Sequence, residues 1–162
     1  MNKITHTTIA IFLFLFINGC SGYKPVFTSQ NFKFEISDYL IKGNEMLGNR
    51  IYNNLYNLSQ SNAGNENLKK ISIEINVKKD KKATVKDSSG KILEYKININ
   101  TLVVVKEFMT SNEILNNNFD YSASFKVLDQ HSETIRLENQ YTDNLIDFTF
   151  NDLLIKLSEN IQ

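Results

Sequence analysis

Apolar and polar residues alternate along much of this chain, and in two stretches the period lengthens to that of a helix. Phe32, Phe34 and Ile36 alternate with Lys33 and Glu35, which predicts a short strand from Asn31 to Ser37. Lys42-Gly-Asn44 breaks that pattern. Leu47, Ile51, Leu55 and Leu58 then follow at helical spacing, with Tyr52 and Tyr56 beside them, and predict a helix from about Asn44 to Gln60. Gly48 weakens that helix, and Ser61-Asn-Ala-Gly-Asn65 ends it. Ile71, Ile73, Ile75 and Val77 alternate with Ser72, Glu74, Asn76 and Lys78, the pattern of a strand with one face on a core and one in water. A longer strand follows the turn residues Asp87-Ser-Ser-Gly90. Leu93, Tyr95, Ile97, Ile99, Thr101, Val103 and Val105 share one of its faces, and Glu94, Lys96, Asn98 and Asn100 the other.

After a break near Met109-Thr-Ser-Asn112, Phe119, Tyr121, Ala123, Phe125 and Val127 point one way, and Asn118, Asp120, Ser122, Ser124 and Lys126 the other. The last segment returns to a helical period. Leu145, Phe148, Phe150, Leu153, Leu154, Leu157 and Ile161 are apolar, and Asp152, Lys156 and Glu159 lie opposite, predicting a helix from about Ser132 to Asn160. Thr142, Thr149 and Phe150 are weak helix formers, which leaves a break near Tyr141 open. The predicted order is β-α-β-β-β-α. Strands with one apolar face each need a cover on one side, and the two amphipathic helices supply it. The fold class expected is α+β: a two-layer sandwich of two helices packed on one face of a four-stranded, mainly antiparallel sheet, forming a single domain over residues 31–162.

The N-terminal segment follows another logic. One lysine, Lys3, precedes the unbroken apolar run from Ile9 to Ile17. That run rises about 14 Å as a helix, roughly half of a hydrocarbon core, so it has the layout of a secretory signal and is too short for a membrane span. Ile17-Asn-Gly-Cys20 at its end, a small residue followed by the lone cysteine, resembles a bacterial lipobox. In that reading residues 1–19 are a lipoprotein signal peptide. Cys20 takes an S-diacylglycerol and an N-acyl chain, and residues 20–30, with Pro25, form an acylated tether. By resemblance to sorted lipoproteins, Ser21 rather than Asp after the cysteine favours the outer membrane over inner-membrane retention, on the periplasmic side. An ordinary signal peptide with a stray thiol, or a buried free cysteine, is the alternative.

Composition narrows the chemistry. Lys plus Arg and Asp plus Glu are both 18, so no global field marks the chain as a nucleic-acid binder. One cysteine excludes a disulfide framework and any multi-cysteine metal site, and two histidines leave little from which to build a metal centre. His131, beside Asp129 and Glu133, lacks the partners a ligand or general base needs. No nucleophile elbow or glycine-rich loop is present. The expectation is a non-enzyme without a metal or a dissociable cofactor.

Taken in order, several short segments resemble the LPS-assembly lipoprotein LptE family. After the lipobox, Gly22-Tyr-Lys-Pro-Val-Phe27 is similar to that family's Gly-aromatic-basic-Pro-aliphatic-aromatic opening, with Ser21 inserted before the glycine. Arg50 stands four residues before Asn54-Leu55. Lys86-Asp-Ser-Ser-Gly-Lys-Ile-Leu-Glu-Tyr95 leads into a Lys-Ile-Asn-Ile strand, and Tyr121-Ser-Ala-Ser-Phe-Lys-Val-Leu128 into the final helix. The resemblance implies the same two helices on a four-stranded sheet. It also implies a role: plugging and helping to assemble the outer-membrane β-barrel LptD, and binding lipopolysaccharide during its delivery to the outer leaflet. A generic envelope binding or assembly module, with no lipopolysaccharide role, is the rival reading.

The candidate lipopolysaccharide-binding residues are Lys78, Lys79, Lys81, Lys82, Lys86 and Lys91, six lysines between two predicted strands. As a cationic loop they would meet phosphates or acidic sugars through charge-assisted hydrogen bonds. The competing reading is a solvated connection that keeps its neighbouring strands soluble. Tyr52, Tyr56, Tyr95, Phe119, Tyr121 and Phe125 fall on apolar faces and are expected in the core.

Overall fold

A computed structural model describes residues 33–60 and 68–161. The lipobox with Cys20, the tether, the first residues of the predicted opening strand and the segment after Gln60 lie outside the described residues. Four strands and two helices follow in the expected order: β1 (Phe34–Gly43), α1 (Glu45–Gln60), β2 (Lys69–Lys86), β3 (Ile92–Glu107), β4 (Glu113–Lys126) and α2 (His131–Asn160). The sheet order is β1-β2-β3-β4. The α1 crossover makes β1 and β2 parallel, while β2–β3 and β3–β4 pair antiparallel. The α+β reading and the element order stand.

Register explains why one face is apolar. Ile73 lies opposite Val105, which lies opposite Leu115, and Val77 lies opposite Thr101, which lies opposite Phe119. These side chains, with Ile71, Ile75, Ile97, Ile99, Val103 and Phe125, form one buried cluster with Leu47, Ile51 and Leu55 of α1 and Leu145, Ile146, Leu153, Leu154 and Leu157 of α2. Both helices therefore cover the same side of the sheet. The other side remains open and polar.

Three boundaries differ from the sequence reading. β1 runs on to Gly43, beyond the expected end at Ser37. A bulge shifts the register between Ile36 and Asp38, after which Tyr39 and Ile41 sit opposite Ile73 and Ile75. The inserted residue breaks the period of two, so alternation alone ends the strand too early. β2 continues to Lys86 and takes in most of the lysine-rich segment that reads as a loop. α2 is continuous, without the break near Tyr141.

Local chemistry accounts for the helices. The Asn44 side chain caps α1 by accepting the Leu47 N–H at 3.2 Å. On α2, Thr142 and Thr149 lie on the buried stripe, yet their hydroxyls donate to the carbonyls of Glu138 (2.8 Å) and Leu145 (3.0 Å) one turn back. That bond satisfies the hydroxyl inside the helix and lets threonine take a core position. The stripe is completed by Ile146, and Phe148, assigned to it by spacing, is instead 56% exposed on the flank. Gly48 is required by proximity: a Cβ there would meet the Ile41 Cγ2 of β1 at 2.5 Å. Gly43, with φ +75°, ends β1 where a Cβ would meet the Val77 carbonyl oxygen at 2.2 Å.

Two stability predictions follow from these contacts. Gly43→Ala should destabilise by about 2–4 kcal/mol, and by more than Gly48→Ala, because its clash is with backbone while Ile41 can shift. Urea denaturation of the two variants checks the order. Thr101→Val should stabilise by about 1 kcal/mol, since the Thr101 hydroxyl is fully buried without a hydrogen-bond partner and the replacement keeps its shape. A lower denaturation midpoint for Thr101→Val would show that the hydroxyl is satisfied in solution.

Candidate functional site

The six candidate lysines are held by the β2–β3 hairpin, which extends beyond the part of the sheet that α1 covers. Lys78 to Lys82 pair with Asn100 to Lys96, and the ladder continues through Ala83 and Val85 to Lys86 opposite Ile92, with two register shifts near the end. Only the five residues Asp87 to Lys91 form the turn. There the Asp87 carboxylate accepts hydrogen bonds from Ser89 Oγ (2.6 Å), Ser89 N (2.9 Å) and Lys91 N (2.9 Å), and Gly90 takes φ +87°. The Ser89 hydroxyl, chief among these, holds the Asp87 carboxyl below the usual carboxylate range; slight burial opposes the effect.

Strand pleating divides the lysines into two groups. Lys79 and Lys81 continue the inward row of Ile75 and Val77 and point towards α2. Their Nζ atoms lie 3.0 and 2.6 Å from the two carboxylate oxygens of Glu138. Lys81 also stands 4.3 Å above the Tyr95 ring, while Phe125 stacks on Tyr141 with centroids 6.0 Å apart. These two lysines close the end of the core with an ion pair over aromatic rings, and they are not free to meet a ligand. Burial pushes the Glu138 carboxyl up, but the hydrogen bonds from Lys81 and Lys79, with their charges, outweigh it and hold the group below its ordinary value of 4.5.

Lys78 and Lys82 point to the open face. Lys82 pairs with Asp80 at 2.9 Å and lies directly opposite Lys96, a residue that charge counting along the sequence does not single out. Asp80, Lys82, Thr84, Lys96 and Asn98 line a shallow depression of about 230 Å³. Lys86 and Lys91 are exposed at the hairpin tip. The expected cationic loop is thus corrected to a strand-borne patch of Lys78, Lys82 and Lys96, with Lys86 and Lys91 at its far end. Cross-strand pairing was the missing information.

The open face beyond this patch is polar and mixes amides and hydroxyls with charges of both signs, among them Asp38, Lys42, Glu74, Lys106 and Asp120. Asn76, Asn98, Asn100, Asn116, Asn118, Ser122 and Ser124 stand on it by register, around the half-buried Leu102 and Val104. On the helical side, Arg50 of α1 pairs with Asp143 and, at 3.3 Å, with Asp147 of α2, tying the two helices together. Tyr39, Tyr52 and Tyr56 form a stack with centroid spacings of 4.1 and 5.8 Å, so Tyr56, 40% exposed, lies at the rim rather than in the core. Phe119 and Phe125 are buried as expected. Burial, a hydrogen bond to Asp152 and that carboxylate's charge push the Tyr121 hydroxyl up to about 12. Among the described residues no cluster of three His, Cys, Asp or Glu side chains forms a metal site, and no helix is long and apolar enough to cross a membrane.

Two helices over one face of a mixed four-stranded sheet in this order form an arrangement found in several solved lipoprotein structures. The fold is shared with rare lipoprotein B of Shewanella oneidensis (10% identity, TM-score 0.52, covering 76% of this chain and 95% of that one). It is shared also with an uncharacterized lipoprotein B of Nitrosomonas europaea (13%, 0.55, covering 80% and 88%) and a minor lipoprotein of Acinetobacter baumannii (12%, 0.57, covering 80% and 94%). No family model and no curated protein sequence matches the chain. The chain has the LptE-type fold, as its short sequence segments led us to expect.

The Glu138 pairing makes a pH-dependent prediction. A carboxyl whose folded pKa lies below its unfolded value contributes stability above the unfolded pKa and loses it as pH falls through the folded one. Glu138→Gln should therefore cost about 1 kcal/mol at pH 7 and progressively less as pH falls from about 4.5 towards 3. Urea titrations of both proteins at the two ends of that range measure the difference; a constant gap would separate Glu138 from the acid response.

Proposed function

We propose that this chain is an outer-membrane lipoprotein, anchored through S-diacylglycerol and N-acyl groups on Cys20, with its domain on the periplasmic side. In this reading the domain plugs and helps to assemble an LptD-type β-barrel and assists lipopolysaccharide delivery to the outer leaflet, without catalysis. The observation that carries it is the LptE-type fold together with an open sheet face rich in amides and hydroxyls. The lumen of an outer-membrane barrel is polar, and a face of amides and hydroxyls among charges of both signs suits it, because such groups exchange hydrogen bonds with a polar wall. The basic patch supports the second part. Lys78, Lys82 and Lys96 stand on one face with exposed ammonium groups, disposed to form charge-assisted bonds with phosphate or acidic sugar.

Two measurements test this reading. The acylated protein extracted in mild detergent should co-purify with a large β-barrel at one-to-one stoichiometry; recovery as a free monomer, with normal surface lipopolysaccharide after depletion, would favour the generic envelope module. The triple variant Lys78→Glu, Lys82→Glu, Lys96→Glu should lose most lipopolysaccharide binding in vitro while keeping its denaturation midpoint near that of the parent. Undiminished binding would leave the patch a solubilising one. Lys79 and Lys81 are unsuitable for this test, because a glutamate at either position would face Glu138.

A further inference from the structure

We infer that the Phe108-Met109 tip of the β3–β4 hairpin rests in the phospholipid leaflet that holds the Cys20 anchor, giving the domain a second, non-covalent membrane contact and a fixed orientation; this rests on the lipid-anchor part of the proposed function. The tip is a tight turn in which Glu107 N donates to Asn112 O and Ser111 N to Glu107 O, both at 2.9 Å, with Ser111 at φ 58°. Its two apolar residues are displayed to solvent: Met109 is 80% exposed and Phe108 44%. No core packing explains them.

Their place in the fold points to a bilayer. The backbone of Lys33 accepts from Lys69 N at 3.1 Å, and Lys70 O accepts from Phe108 N at 2.9 Å, so the first described residue and the tip lie across three neighbouring strands. At about 4.8 Å per strand the chain enters the sheet within roughly 10 Å of the tip. From Cys20 to Lys33 the chain reaches at most about 45 Å, so an anchored cysteine holds this end of the sheet within that reach of the membrane and sets no such limit on the lysine-rich hairpin at the other end. Lys33, Lys69, Lys70 and Lys106 surround the tip. Of the carboxylates there, Glu107 accepts a hydrogen bond from the Thr110 hydroxyl, Glu35 lies level with Lys70, and Glu113 lies level with Lys106. An apolar pair ringed by long cationic side chains fits the interfacial layer, where the apolar tip enters the acyl boundary and the ammonium groups reach headgroup phosphates. A weak contact suffices, because the anchor already holds the domain at high local concentration.

The chain contains no tryptophan, which provides a clean test. Met109→Trp and Met46→Trp each introduce a single fluorophore at an exposed methionine. Met46, 75% exposed at the start of α1, follows the end of β1, which lies level with Val77 midway along β2 and well away from the tip. The full acylated proteins are reconstituted into vesicles of phosphatidylethanolamine and phosphatidylglycerol with brominated acyl chains, and flotation reports the anchor independently. Blue-shifted emission and quenching several times stronger for Met109→Trp than for Met46→Trp are expected. If the proteins float with the vesicles but the two tryptophans are quenched equally, or neither is, the tip contact is overturned and the anchor stands. If they do not float, the anchor reading falls and the tip contact with it.

Discussion

Ile73, Val105 and Leu115 lie side by side on three adjacent strands, and a sheet carrying such rows cannot leave them in water. Each Å² of apolar surface left uncovered would cost about 25 cal/mol, so the rows of β2, β3 and β4 set where everything else must go. α1 covers β1 and β2, pressing close enough at Gly48 to touch Ile41. α2 covers β3 and β4 through a stripe of Leu145, Ile146, Leu153 and Leu157. The Arg50 pairs with Asp143 and Asp147 join the helices over this core, but they are half-exposed and add little beside the apolar contact.

The same constraint explains what happens where the cover thins. β2 is 18 residues long and outruns α1, so its inward row cannot stay apolar to the end. After Val77 that row continues as Lys79 and Lys81. The Lys81 ammonium lies over the aromatic rings of Tyr95 and Phe125, and the charges of both lysines meet Glu138 on α2. An ion pair in this half-buried position keeps hydrogen-bond partners for all three groups while sealing the core end. It also engages two of the six lysines on the helical side, leaving Lys78 and Lys82 on the open face.

Period and turn chemistry carry most of the fold because a sheet covered on one side enforces strict alternation. The strands around Ile73, Ile99 and Phe119 and the helix around Ile51 were all legible on that basis. What was not legible had identifiable causes. A bulge after Ile36 inserts one residue and hides the rest of β1. In the lysine-rich part of β2, alternation persists between two kinds of lysine, which composition cannot distinguish. Phe148 sits at a spacing compatible with either the buried stripe or its flank, and only packing against β4 decides between them. For the candidate site, the charge cluster could be read from the chain, but its division into inward and outward lysines needed the register that sets Lys82 opposite Lys96. The pairing with Glu138, more than fifty residues away in sequence, has no local signal at all.

The two ends of the sheet also differ in kind. Cationic groups of the long hairpin project at one end, beyond the helices, while the chain enters beside an apolar turn at the other. Between them, the open face presents asparagine and serine among charges of both signs, of which Lys42 and Glu74 pair at 2.7 Å. Unmatched ions resist burial, since each one stripped of water costs several kcal/mol, whereas paired charges, amides and hydroxyls accept a polar partner with only local rearrangement. An apolar face would instead have driven indiscriminate association. A polar face of mixed charge therefore permits close contact with another polar wall and stays compatible with water without one.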